Sequence, residues 1–158
     1  MNDADLLRVT LFCYGNPARE DDGIGPALAE RPEITAIDGL RIECNYQLFV
    51  EDAITLSESD LVVFADASIS GREPFSFRPV PAKPARRYDT HDIDPPALIA
   101  LCEELYGRRP DAYALAIRGY SFQMFQTSLS ERAAANLAKA ADFLVSFLRE
   151  RVGAYGAA

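Results

Sequence analysis

A single histidine, His91, stands among 158 residues, so metal or acid–base chemistry in this chain has to rest mainly on carboxylates. Two aspartates are placed where they could do such work. Asp22 lies in the glycine-rich stretch Gly15–Pro26, directly after the apolar run LLRVTLFCY. Asp66 ends a second apolar run, DLVVFADA, in a charge. His91 closes a proline-rich stretch just ahead of a helical pattern. In open α/β sheets, ligands bind beyond the carboxyl ends of the strands, near the point where strand order reverses. Two carboxylates and one imidazole make a nitrogen–oxygen ligand set with open positions, which suits a borderline divalent ion such as Ni²⁺ or Zn²⁺. Each residue also has an ordinary use. Asp21 and Asp22 could complement a helix N-terminus, worth a few tenths to about 1 kcal/mol. Asp66 could simply end its strand, and His91 could be a solvated loop residue or part of a helix cap. Spacing alone does not bring the three together.

Other chemistries find less support. Gly15, Gly23 and Gly25 match neither of the two common phosphate-binding patterns, and Arg19-Glu20-Asp21-Asp22 puts excess negative charge where an anion would sit. Cys13 falls inside an apolar run and Cys102 on the apolar face of a helical pattern, so both read as packing; only Cys44, at a strand end, stays open as a thiol. No Gly-x-Ser-x-Gly turn is present to support a serine nucleophile.

The elements that must position these residues follow from length and pattern. At 17.4 kDa, with 49% apolar and 25% charged residues, the chain reads as one globular domain, 1–158. Sixteen basic side chains against 24 acidic ones leave a net charge of −8, the wrong sign for a nucleic-acid binder. No apolar run approaches the roughly 20 residues of a membrane span. With three unpaired-looking cysteines and no signal-peptide pattern at the start, the expectation is a cytoplasmic protein.

Strands are expected over 6–14, 40–45, 60–67 and 111–122, with helices over ALAERPE (27–33), VEDAITLSES (50–59) and ALIALCEELYG (97–107). The last of these carries Leu98, Leu101, Cys102 and Leu105 as its apolar stripe. FSFRPV (75–80), among prolines, reads as a hairpin arm. A closing helix follows Ser128-Leu129-Ser130-Glu131, which offers a capping box, with a stripe of Leu137, Ala140, Ala141, Leu144, Phe147 and Leu148. Alternating strands and helices predict an α/β sandwich around a mostly parallel sheet. Arg78, Lys83, Arg86 and Arg87 concentrate positive charge on the proline-rich arm, either to keep an edge strand soluble or to dock a protein partner.

Taken together, the motifs resemble a known family. Gly15-Asn16-Pro17-x-Arg19-x-Asp21-Asp22-Gly23-x-Gly25 resembles the N-terminal signature of the nickel-iron hydrogenase maturation proteases. Asp66 within Val63-Phe64-Ala65-Asp66-Ala67 is similar to that family's second acidic position, His91 to its metal-binding histidine, and Leu129-Ser130 to its C-terminal pattern. The resemblance implies a three-layer α/β/α sandwich with a five-stranded, mostly parallel sheet. It also implies an endopeptidase that removes the C-terminal extension of a hydrogenase large-subunit precursor once nickel has been inserted. Asp22, Asp66 and His91 would then be both metal ligands and the catalytic set. The nickel would come with the substrate and be held weakly by the enzyme alone. The partner would be that precursor, with no nucleic acid or membrane involved and the enzyme a monomer. Where many members carry an Asp-Gly-Gly-Thr turn, this chain reads Asn45-Tyr46-Gln47-Leu48, followed by Val50-Glu51-Asp52-Ala53, a form similar to a subgroup associated with soluble, NAD-linked hydrogenases. Two other readings are a nickel-dependent assembly chaperone that uses the same three ligands without cleaving, and a flavodoxin-like nucleotide binder.

Overall fold

The computed structural model describes residues 7–87 and 92–156. Five strands form one sheet: β1 (Val9–Tyr14), β2 (Leu40–Asn45), β3 (Leu61–Ser68), β4 (Phe75–Pro79) and β5 (Asp111–Arg118). Their order is β2-β1-β3-β5-β4. The pairs β1–β2, β1–β3 and β3–β5 are parallel, and β4 runs antiparallel along β5 at the edge. The chain leaves β1 toward β2 on one side and continues from β3 to β5 on the other. The strand order therefore reverses between β1 and β3, and the loop after β1 and the end of β3 face the same crevice.

Alternation along the strands assigns the two faces. Val9, Leu11 and Cys13 of β1 and Leu61, Val63 and Ala65 of β3 pack with α1 (Ile24–Ala29), α2 (Pro32–Thr35) and α5 (Glu131–Gly156). Phe12, Val62 and Phe64 pack on the other face with α3 (Asp52–Ser57) and α4 (Pro95–Tyr106). This is the expected three-layer α/β/α sandwich. The α5 stripe is as expected: Leu137, Ala140, Ala141, Leu144 and Leu148 are buried, and Phe147 is half-buried in an aromatic group with Phe77, Tyr113 and Phe143. Among the described residues, no helix is long and apolar enough to cross a membrane.

Several local expectations are corrected. The helix expected over 27–33 is two short ones, because the α1 turn ends at Glu30 and Pro32 starts a new helix at its first position. FSFRPV does not fold back on β3 as a hairpin: β4 pairs with β5, with Phe75 opposite Ile117 and Pro79 opposite Tyr113, and α4 intervenes in sequence. Its prolines are accommodated because an edge strand uses only one side of its backbone. In α4 the inner face is Ala97, Leu98, Ile99 and Cys102, while Leu105 is exposed near the helix end, where Gly107 closes it in the left-handed region at φ 63°. Arg78, Lys83, Arg86 and Arg87 are exposed and form no ion pair among the described residues.

The feet of the central strands are held by one carboxylate. Asp60 accepts from the Arg8 backbone N–H at 2.9 Å, from its guanidinium at 3.0 and 3.1 Å, and from Arg108 at 3.2 Å. The Arg8 side chain foremost, against the opposing effect of burial, holds the Asp60 carboxyl below the usual aspartate range. An acid with a lowered folded pKa stabilises the fold at pH values above its ordinary value of about 3.9 and loses that contribution as pH falls through the lower folded value. Asp60→Asn should cost about 1 kcal/mol or less at pH 7, in keeping with a partly exposed pair. Thermal melts should show the gap to the parent closing as pH falls toward 3.

Candidate functional site

The crevice at the switch point is built by the segment that follows β1. Gly15 sits at φ +140°, and a Cβ there would lie 2.0 Å from the Asp22 carbonyl oxygen, so the loop can fold back on itself only with glycine. Gly25 is equally constrained, since its Cβ would meet the Tyr14 carbonyl oxygen at 2.3 Å. Between them, residues 20–23 form a 3₁₀ turn that leads directly into α1. The Asn16 N–H donates to Asp22 Oδ2 at 2.8 Å, which fixes the half-buried Asp22 carboxylate at the start of the loop.

Asp66 continues the β3 alternation onto the α3/α4 side, the same side as Tyr14 at the end of β1. Its Oδ1 accepts from the Ala67 N–H at 2.8 Å. Burial, only partly offset by that hydrogen bond, and the nearby Asp22 charge push the Asp66 carboxyl up to about 7. The tertiary structure therefore brings Asp22 and Asp66 close enough for one charge to act on the other. The phenol of Tyr14 is raised by its burial and then by the charges of Asp66 and Asp94. Asp94 caps α4 by accepting from the Ala97 N–H at 2.9 Å. His91, the third expected ligand, lies outside the described residues. Among the described residues there is no cluster of three metal-ligating side chains.

Asp21 is not the helix-end charge that its position in the sequence suggests. It is fully buried, and its two oxygens accept four hydrogen bonds: from Tyr120 N (2.8 Å), Ser121 N (3.0 Å) and Ser130 Oγ (2.7 Å) on Oδ2, and from Ser130 N (2.7 Å) on Oδ1. Burial works against the ionised form, but these donors outweigh it and hold the carboxyl below the usual range. Ser130 is also the α5 cap, accepting weakly from Ala133 N at 3.3 Å, so the Ser128–Glu131 capping box is not the device used. Two adjacent aspartates thus do different jobs, Asp21 turned inward to hold the loop and Asp22 half-buried where its charge acts on Asp66. The only sequence trace of this division is the pair itself, because donors about 100 residues away leave no local pattern.

The loop after β5 is bound to the same segment. Asp21 N donates to Ser121 O at 2.9 Å, Glu20 N to Gln126 O at 2.7 Å, and Gln126 N to Ala18 O at 3.2 Å. The Glu20 carboxylate accepts from the Ser121 hydroxyl. The same loop borders a cavity of about 380 Å³ with Gly15, Gly23, Pro26, Leu129 and the exposed Cys44 in its walls; neither Asp22 nor Asp66 lines it. Cys13 and Cys102 are buried, as expected of packing residues.

No family profile and no curated protein sequence matches the chain. Solved structures do. A nickel-iron hydrogenase maturation protease from Thermococcus kodakarensis superposes with a TM-score of 0.69 at 23% identity, over 91% of this chain and 94% of that one. The hydrogenase maturating endopeptidase HybD from E. coli gives 0.70 at 17% identity, over 92% and 94%. A hydrogenase 2 maturation peptidase from a Thaumarchaeota archaeon gives 0.64 at 21%, over 89% and 97%. The chain has the fold of the hydrogenase maturation proteases.

The geometry separates the three aspartates by stability. Asp21→Asn places an amide donor against N–H groups and removes acceptor capacity, and should destabilise the protein by about 2–4 kcal/mol. Asp22→Asn keeps an acceptor for Asn16 and should change stability by about 1 kcal/mol or less. Asp66→Asn removes a charge from a half-buried position near another, so in metal-free protein at pH 8 it should melt at or above the parent temperature. Thermal melts of the three variants side by side check the order Asp66→Asn, Asp22→Asn, Asp21→Asn from most to least stable.

Proposed function

We propose that this protein is an endopeptidase that removes the C-terminal extension of a nickel-iron hydrogenase large-subunit precursor after nickel has been inserted, acting in the cytoplasm as a monomer. The observation that carries the reading is the position of Asp22 and Asp66 at the ends of the adjacent parallel strands β1 and β3, at the switch point of a sheet whose fold the solved maturation proteases share. The donor set fits a divalent cation. Asp66 is half-buried with one backbone donor, and its desolvation, with the Asp22 charge nearby, raises its carboxyl to about 7. Asp22 and Asp66, with His91 as the nitrogen ligand, would hold the nickel that the substrate carries. When bound there, the metal supplies positive charge to polarise a carbonyl or a water molecule.

The residues of this chain supply the remainder. Asn16 N–H orients Asp22, and the Ala67 N–H orients Asp66, so the two carboxylates are presented in fixed directions before any cation arrives. A cation held between Asp22 and Asp66 would supply the positive charge that favours the ionised form of Asp66. No nucleophilic side chain is required. Cys13 and Cys102 are buried, and burial followed by the Glu30 charge raises the Cys44 thiol, the reverse of what an attacking thiolate needs.

Purified precursor, with and without nickel, should lose its extension only in the nickel-loaded form when incubated with the parent protein, as read by large-subunit mass. His91→Ala, Asp22→Asn and Asp66→Asn should each slow that cleavage by at least about 100-fold. Cleavage at the parent rate by His91→Ala overturns the ligand assignment. A precursor that is bound but never shortened overturns proteolysis in favour of an assembly chaperone. Cys44→Ser should cleave within about twofold of the parent rate, and its failure while folded would return the thiol to the mechanism.

A further inference from the structure

Seven large apolar side chains are exposed among the described residues, and four of them, Tyr46, Ile69, Met124 and Phe125, lie in the loops just past the carboxyl ends of the parallel strands β2, β3 and β5. This is the edge that carries Asp22 and Asp66. The loops are tied to one another: Gly15 N donates to Asn45 O beside Tyr46, and Gly119 N to Ser68 O beside Ile69. The 119–130 loop carries the most prominent member, Phe125, which is 87% exposed. Its backbone sits at φ 64°, a region unfavourable by about 1–2 kcal/mol for a residue with a bulky side chain. The conformation is held from both sides. Gln126 exchanges backbone hydrogen bonds with Ala18 and Glu20, and Arg19 donates to Phe122 O at 3.2 Å. A loop with no partner would relax by turning the ring inward or exchanging the residue for glycine or asparagine. Here the same hydrogen bonds that fix the Asp22 segment fix the ring in water, next to Met124.

We propose that this edge docks a folded protein through Phe125 and Met124, and that the partner presents an apolar pocket to them and positive charge to the acid pair beyond. The inference rests on the proteolytic reading and deepens it: the enzyme recognises the body of its substrate protein as well as the tail it cuts. Charge selects the occupant. The exposed apolar residues share this edge with two neighbouring carboxylates in a chain of net charge −8, so a partner with an acidic centre, or a second copy of this chain meeting the same edge, would bring like charges together. An exposed aromatic anchor beside a flexible methionine is the composition of an interface centre.

The test uses the full-length protein and purified nickel-loaded precursor. Phe125→Asn suits the left-handed backbone, so it should melt at or above the parent temperature. With Met124→Ser it should raise KM for the precursor at least tenfold and leave kcat within twofold. Phe125→Tyr should behave as the parent. An unchanged KM, or a loss confined to kcat, overturns the docking role while parent cleavage keeps proteolysis intact. Absence of cleavage by the parent would instead remove the proteolytic reading. Sedimentation of the parent as a dimer that Phe125→Asn dissolves would assign the surface to a second copy and overturn the proposal.

Discussion

The carboxylate of Asp21 is the interaction on which the site depends. A buried, ionised group is tolerated only when its oxygens are fully occupied, and here four donors from Tyr120, Ser121 and Ser130 occupy them. Those donors belong to the end of the β5 segment and the cap of α5, while Asp21 belongs to the loop after β1. One side chain therefore joins three parts of the chain, and backbone hydrogen bonds between residues 18–21 and 121–126 reinforce the junction. Gly119 makes room for it, since a Cβ there would stand 2.8 Å from the Asp21 Cβ. With Asp21 seated, the next residue has little choice of direction, and the Asp22 carboxylate is held by the Asn16 N–H.

The same constraint explains why the site can hold two acids in repulsion. Asp66 stands at the end of a strand whose preceding residues are almost entirely removed from water, and its proton affinity rises accordingly. Left to relax, a loop bearing Asp22 would swing away from such a neighbour. The glycine at position 15, the Asn16 hydrogen bond and the Asp21 anchor prevent that movement. Stability invested in the loop thus maintains an electrostatically unfavourable pair, a common arrangement where a cation is to be received. The long loop after β5 shares this rigidity because its backbone is paired with residues 18–21.

Much of this was legible in the residues themselves. The largely apolar runs leading to Tyr14 and to Asp66, and the stripe of Leu137, Ala140, Ala141, Leu144 and Leu148, are local patterns imposed by burial on both faces of a sheet and one face of a helix. They predict the layers directly. Asp22 and Asp66 were legible as candidates because a charge at the end of such a run is costly unless it is used or solvated. The motif spacing around Gly15–Gly25 carried the resemblance, and the superpositions agree with the fold it implied.

What only the tertiary structure decided is non-local. Strand order placed β1 beside β3 and so brought Asp22 to Asp66; pairing β4 with β5 rather than β3 was set by crossover geometry and not by any run of residues. Which of two adjacent aspartates faces inward depends on backbone N–H groups about 100 residues away, and backbone donors are the same in every residue type, so they leave no signature in composition or periodicity. The exposure of Phe125 was hidden for a related reason. An aromatic residue in sequence reads as core, and only the hydrogen bonds of Ala18, Glu20 and Gln126 show that this one is held outward. Side-chain chemistry determined the candidates and the layers, while chain topology and backbone hydrogen bonding determined which candidates meet.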